Sequence, residues 1–74
     1  MYSKKDFIAR PIVEDIQIWD SKDGKFYIST ALIDGALFYG YKRMLYHEQD
    51  SNWEQILEGY DLNHCIELIN IYES

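Results

Sequence analysis

The sequence is poor in cysteine and in long apolar runs, and each shortage limits what the chain can be. Cys65 is the single cysteine, so no internal disulfide can form, and we expect a fold without covalent cross-links in a reducing cytoplasm. No apolar run approaches the roughly 20 residues of a membrane span, and the segment 1–11 lacks the apolar stretch of a secretory signal. We therefore expect a cytoplasmic protein that does not associate with membranes.

Basic residues are scarce as well. Seven Lys and Arg face 13 Asp and Glu, which gives a net charge of −6. Such a charge repels nucleic acid, so we expect no direct nucleic-acid binding. The segment 44–74 carries seven carboxylates and no Lys or Arg, whereas 1–10 has a net charge of +2. This polarity predicts a basic partner, and the alternative is that the acidic composition only serves solubility.

Residue patterns that carry catalysis or hold metals are also missing. There is no phosphate loop, zinc-finger spacing, H-E-x-x-H or G-x-S-x-G motif. Only His47-Glu48 and His64-Cys65 bring such residue types together in sequence. Neighbours on a helix point about 100° apart, so His64 and Cys65 cannot share an ion without further ligands. We expect Cys65 in the core, His64 at the surface or its boundary, and a non-catalytic protein without cofactor or metal.

Alternation of apolar and polar residues predicts an antiparallel three-stranded meander in the first two thirds of the chain. The predicted strands are 12–19, 25–33 and 36–47. The turn 20–24 contains Asp23-Gly24, and Asp34-Gly35 is typical of a two-residue hairpin turn. Gly40 predicts a bulge or a close approach within the third strand. A helix over 37–48 is the alternative.

The two turns predict which residues share a face of this sheet. They place Trp19 opposite Lys25 and Ile33 opposite Ala36. One face then collects the residues expected to form the core: Ile12, Ile16, Ile18, Phe26, Ile28, Leu32, Leu37, Tyr39 and Tyr41. The other face holds Trp19, Tyr27 and Phe38, which we predict to bind a partner because aromatic residues are enriched at binding hot spots. A partly covered face or a homodimer contact are the alternatives.

The segment 51–72 is predicted to be helical and to cover the apolar face. Ser51 and Glu54 have the spacing of a capping box. Two apolar stripes, before and after Gly59, point in different directions, so we predict a break near Gly59 with Asp61 capping a second helix. The alternative is that one stripe faces a partner.

A row of carboxylates lies along this predicted helix. Glu54, Glu58 and Asp61 have the spacing i, i+4 and i+7, with no Lys or Arg between them. Successive members would lie roughly 5–6 Å apart, similar to the phosphates of a nucleic acid. We predict that this row occupies a basic surface of a partner, and the alternative is a solvated helix face.

Part of the chain resembles small uncharacterised phage and prophage proteins. In those proteins a strand of the type YGYxTM precedes a helix of the type WEEAxxGH, as Tyr39-Gly40-Tyr41 and Met44 precede Trp53-Glu54 and the segment 57–60 here. Ile56 stands where a small residue is usual and Tyr60 where His is usual. The resemblance covers less than half of the chain. It implies a phage or mobile-element origin, hence a bacterial host, and no activity.

Together these features predict one small α+β domain. It would comprise an N-terminal arm (1–11), a three-stranded antiparallel meander (12–47) and a helical region (51–72) packed on one face. The predicted function is that of a small acidic, non-catalytic protein that inhibits a host defence or nucleic-acid-processing protein by occupying its basic surface, as anti-CRISPR-like inhibitors do. The alternative is a self-assembling accessory protein that dimerises through its aromatic face. A small enzyme would need a pocket around His47 or His64.

Overall fold

The computed structural model describes residues 1–45 and 51–74, which form one antiparallel sheet and one α-helix. A short 3-10 helix, Lys4–Asp6, precedes the first strand. The elements that follow are β1 Phe7–Ala9, β2 Ile16–Ser21, β3 Phe26–Ala31, β4 Phe38–Leu45, β5 Ser51–Gly59 and α1 Leu62–Glu73. Predictions for His47, Glu48 and Asp50 lie outside the described residues.

The α+β class is confirmed, but the predicted number of strands is wrong. The described sheet has five strands in the order β1-β2-β3-β4-β5, each antiparallel to its neighbour. β1 lies within the segment expected to be an N-terminal arm (1–11). β5 occupies the first part of the predicted helical region (51–72), so no helix begins at Ser51. Only Leu62–Glu73 of that region is helical.

β5 was predicted as a helix because a bulge interrupts the two-residue alternation that is typical of a strand. The helical prediction relied on the spacing of Trp53, Ile56 and Leu57. In the structure the register shifts between Gly40 and Tyr41 on the partner strand, which makes Ile56 an extra residue. Ile56 and Leu57 both pack against the core, so the two-residue period is interrupted. Pairing with β4 outweighs the local helix propensity of the Glu, Gln and Leu residues in this stretch.

The β2–β3 hairpin has a different register from the one predicted. Trp19 lies opposite Ile28 rather than Lys25. β2 extends to Ser21, whose hydroxyl accepts a hydrogen bond from the Phe26 amide at 2.9 Å. The turn therefore lies at 22–25, with Gly24 at a φ of +75°. The observed pairing of β2 with β3 differs from the predicted one by an odd number of residues. The residues of β2 that were predicted on one face of β3 therefore lie on the other.

The β3–β4 connection is a longer loop than the predicted hairpin turn. Thr30 lies opposite Phe38, so the loop spans 32–37, although Gly35 does adopt a positive φ of 56°. Here the register differs from the prediction by one residue. This one-residue shift in register places Phe38 on the helix side of the sheet and Tyr39 and Tyr41 on the other face.

A two-residue turn that was not predicted precedes β2. Glu14 and Asp15 have φ values of 51° and 63°, and Val13 and Ile16 bridge across them. These angles are those of a type I′ turn, in which both central residues are left-handed. The strand predicted at 12–19 consequently begins only at Ile16.

The core lies between the sheet and α1. Its buried apolar residues are Phe7, Phe26, Ile28, Cys65, Ile66 and Ile69. Of the nine residues predicted for the core face, Phe26 and Ile28 are buried, whereas Ile12, Ile16 and Leu32 are exposed. The register shifts explain this correction, because they turn much of the predicted face toward solvent.

The predicted helix start at the Asp61 cap is confirmed, but the predicted break within a helix near Gly59 is wrong, because the strand β5 precedes it. Asp61 is the N-cap of α1, and its carboxylate accepts a hydrogen bond from the His64 amide at 2.8 Å. A β-carbon on Gly59 would lie 2.8 Å from the Cys65 sulfur. The absent side chain therefore lets the first turn of α1 pack directly against the end of β5.

The N-terminal residues are attached to the far end of α1. The Tyr2 amide donates to Asn70 Oδ1 at 2.6 Å, and Asn70 Nδ2 donates to the Tyr2 carbonyl at 2.8 Å. The Tyr2 ring packs edge-on against Phe26, and its hydroxyl donates to Asp23. Tyr2 thus links the C-terminal end of α1 to the β2–β3 turn.

Candidate functional site

The carboxylate row predicted from the sequence does not form. Glu54 lies opposite Lys42 and Glu58 lies opposite Tyr39. The bulge at Ile56 separates them, and the register directs Glu54 to the helix side of the sheet and Glu58 to the other side. Asp61 caps α1 at its N-terminus. All three carboxylates are exposed, but they do not line one surface.

The predicted aromatic set is also divided. Trp19 and Phe38 stack with their ring centroids 5.8 Å apart and pack against the core on the helix side. Tyr27 lies on the face opposite α1, which we call the open face. Trp19 and Phe38 were assigned to that face from the predicted registers, and both registers differ by an odd number of residues. They are therefore structural residues in this fold.

The open face has its own aromatic cluster, formed by Tyr27, Tyr41 and Trp53. Tyr27 and Tyr41 lie on neighbouring strands and stack at 4.5 Å with an angle of 11° between their rings. Trp53 meets Tyr27 edge-on at 4.9 Å. Burial and the neighbouring Tyr41 raise the pKa of the Tyr27 hydroxyl, so the Tyr27 hydroxyl stays neutral at physiological pH.

Arg10 extends this cluster toward β1. Its guanidinium lies 5.9 Å from the centre of the Tyr27 ring and donates two hydrogen bonds to Asp20. These bonds raise the pKa of Arg10. The backbone there is also held, because Arg10 N–H donates to the Ile18 carbonyl and Gln17 Nε2 donates to the Arg10 carbonyl. The guanidinium is thus positioned before any partner arrives.

The rest of the open face is largely apolar. Ile8 and Ile16 are 58% and 42% exposed, and the register places them on the same side as Tyr27. Arg43, opposite Trp53, is exposed on this face as well. No helix or strand formed by the described residues lies over it. An uncovered, apolar and aromatic sheet face is typical of an interaction surface.

Sequence reasoning found Tyr27 but missed Tyr41, Trp53 and Arg10. The alternation in the segment 38–43 was visible in the sequence. Which of these alternating residues face outward depends on the register between β3 and β4. The length of the connecting loop sets that register, and this length was predicted wrongly.

Exposed carboxylates concentrate at the β5 and α1 side of the molecule. They are Glu54, Glu58, Asp61, Glu67 and Glu73. The segment 52–74 contains no Lys or Arg. This side is therefore rich in negative charge, which favours a basic neighbour.

A solvent-open groove of about 570 Å³ lies at the other end of the sheet. Its walls carry Lys22 and Lys25 together with Asp6, Asp23 and Glu73. Burial opposes ionisation of Asp23, but hydrogen bonds from Tyr2, the Lys25 amide and Ser21 lower its pKa overall. Side chains of both charges line this groove, so its charge selects neither a cationic nor an anionic ligand.

The side chains of His64 and Cys65, which are of types found in catalytic sites, make structural contacts. His64 Nδ1 accepts a hydrogen bond from the Tyr60 amide at 3.0 Å, and its ring stacks on Tyr60. The prediction that Cys65 belongs to the core is confirmed, and burial raises the pKa of its thiol to about 11. Within 1–45 and 51–74, no three His, Cys, Asp or Glu residues are grouped as a metal site requires.

No helix in the described part of the chain has the length and apolar character needed to cross a membrane.

No family model, no curated protein and no solved structure matches the chain. The segment that resembles a phage-protein helix lies mostly in β5, since Trp53 to Gly59 are extended. The function therefore has to be inferred from the open face and from the distribution of charge.

Proposed function

We propose that this chain is a small, non-catalytic binding protein that docks on another protein through its open face. The observation that carries the proposal is the aromatic cluster of Tyr27, Tyr41 and Trp53, positioned beside Arg10 on a sheet face that no described element covers. Tyr, Trp and Arg are the residues most enriched at interface hot spots.

The cluster is organised before binding. Its rings already contact one another, and Arg10 is already paired with Asp20. Docking would therefore immobilise few additional side chains, which lowers the entropic cost of association. The molecule extends 37 Å by 27 Å along its two longest axes. A face of this size accommodates the roughly 800 Å² that each partner contributes to a standard interface.

The charge supports a basic partner. The net charge is −6, and Glu58 of β5 lies on the open face beside Tyr39. We propose that the chain inhibits a bacterial defence or nucleic-acid-processing protein by occupying its basic surface. A phage or mobile-element origin is part of this proposal and rests on the sequence resemblance. The carboxylate row does not form, so the support is the acidic side as a whole.

Self-assembly through the open face is the second candidate. It is favoured by the exposed Ile8 and Ile16, which give this face an apolar character that a second copy would cover. Light scattering separates the two candidates. A dimer that persists in high salt favours self-assembly, and a monomer that binds a partner in a salt-sensitive manner favours inhibition.

The experiment that tests the first proposal is affinity capture from a bacterial host, followed by binding measurements with the captured protein. Trp53→Ala should weaken that binding at least tenfold, because it removes a hot-spot side chain. Tyr60→Ala is the matched control, since Tyr60 is an aromatic residue, 77% exposed, that follows β5 and lies outside the cluster. Capture that returns only the chain itself, or equal binding by both variants and the wild type, would contradict the proposal.

A further inference from the structure

β5 is an edge strand whose outward peptide groups can be identified. The Arg43 amide donates to the Lys25 carbonyl at 2.9 Å, so the peptide groups of Arg43 face β3. Antiparallel pairs alternate between hydrogen-bonded and non-hydrogen-bonded. Trp53, opposite Arg43, therefore directs its N–H and C=O away from β4. The same parity applies to Gln55 and to Glu58.

One of these three outward amides is already occupied. The Trp53 N–H donates to Asn52 Oδ1 at 2.9 Å. The described residues place no strand beyond β5 to receive the peptide groups of Gln55 and Glu58. The C-terminal half of the β5 edge is thus the part that an additional strand would pair with.

The charge of this edge makes it unsuited to an identical strand. Ile56 inserts one residue between the outward amides of Gln55 and Glu58, and any added strand has to match that spacing. Two copies of β5 would bring acidic residues of the two strands close together. Like charges opposite one another destabilise a pair of strands.

The charge of the edge indicates what fits it instead. Edge strands are commonly protected by Lys, and β5 has no Lys or Arg. The Glu58 carboxylate lies on the open face of the sheet. An added strand with a Lys or Arg side chain on that face would meet it.

We propose that β5 accepts an extended, Lys- or Arg-bearing segment of a partner protein as an additional strand. This inference rests on the proposed function and names how the partner is held. Main-chain hydrogen bonds to Gln55 and Glu58 supply the affinity, and the Glu58 carboxylate selects the basic segment.

Three synthetic eight-residue peptides test the proposal with the intact chain. The first alternates Lys and Thr, the second alternates Glu and Thr, and the third is the Lys–Thr peptide with alternate backbone amides methylated. Titration into isotope-labelled protein should shift the amide resonances of Gln55 and Glu58 with the first peptide. The second and third should bind at least tenfold more weakly. The third keeps every charge, so it separates strand pairing from charge attraction.

A charge-reversed pair of variants provides the control. Glu58→Lys should weaken binding of the Lys–Thr peptide at least tenfold. Glu67→Lys makes the same charge change at an exposed position of α1 and should change binding by less than threefold. Equal weakening by the two variants, equal binding of the methylated peptide, or absence of shifts at Gln55 and Glu58 would overturn the proposal. Self-association that shifts those same two amides would overturn it in favour of a second copy.

Failure of this inference can be told from failure of the proposed function. With a captured partner, hydrogen exchange at Gln55 and Glu58 should slow on binding. If Trp53→Ala abolishes binding but those two amides exchange as in the free chain, the open face binds the partner and strand addition is wrong. If no partner binds but the Lys–Thr peptide still pairs with β5, the edge is competent and the proposed docking through the open face is wrong.

Discussion

Replacement of Gly40 by Ala should destabilise the fold through a single identifiable contact. A β-carbon at Gly40 would lie 2.7 Å from Leu57 Cδ1 and 2.8 Å from Leu57 Cγ. Because Cγ is close to the backbone, the Leu57 side chain cannot simply rotate its end away. Overpacking of this kind costs about 1–3 kcal/mol. Ala gains about 0.5–1 kcal/mol over Gly within a strand, so the net loss should be about 1 kcal/mol, within a range of about 0–2.5 kcal/mol.

A double-mutant cycle with Leu57→Ala tests whether that contact is the cause. Leu57→Ala removes apolar contacts and the obstacle together, so in its background Gly40→Ala should be neutral or stabilising by up to about 1 kcal/mol. Urea unfolding followed by the fluorescence of Trp19 and Trp53 gives each free energy. Gly24→Ala is a control with open space around it, where the φ of +75° alone should cost about 1 kcal/mol with or without Leu57. If Gly40→Ala still costs more than 1 kcal/mol in the Leu57→Ala background, the steric explanation is wrong.

Three further predictions follow from local geometry. Glu14→Asn combined with Asp15→Gly should raise the free energy of unfolding by about 1 kcal/mol, since these residues suit the left-handed turn; an unchanged urea midpoint would contradict this. Cys65 should react with a thiol reagent at pH 8 only as fast as the chain opens, because it is buried and its pKa is raised to about 11; immediate reaction in the absence of denaturant would contradict this. The pKa of Asp23 is lowered on folding, so its contribution to stability is present above about pH 4 and disappears as the pH falls further. Asp23→Asn should therefore lower the free energy of unfolding at pH 6, and the variant should differ less from the wild type at pH 2. The same change of unfolding free energy with pH in both proteins would contradict this.

Local chemistry in the sequence was sufficient for some features of this fold. The cap at Asp61 and the core position of Cys65 each depend on residues close together in the chain, and both are confirmed. Gly40 was expected to mark a bulge or a close approach within its strand, and the close approach is present because Leu57 lies against it; the extra residue of the neighbouring register shift is in β5.

Strand pairing was not determined locally. β5 has the composition of a helix, and it becomes a strand because the edge of β4 offers it hydrogen-bond partners. β1 has three residues and is too short to be recognised without β2 beside it. Each of these strands is defined by its neighbour, so the sequence predicted three strands where the described residues form five.

The candidate site depended on tertiary structure for the same reason. The sequence by itself determined the acidic charge, the single buried thiol, the α+β class and the presence of an aromatic sheet face. The tertiary structure decided which aromatics occupy that face. A side chain changes face with every one-residue step in register, and the lengths of two loops set the register here. Tyr27, Tyr41 and Trp53 therefore face outward, whereas Trp19 and Phe38 pack beneath α1.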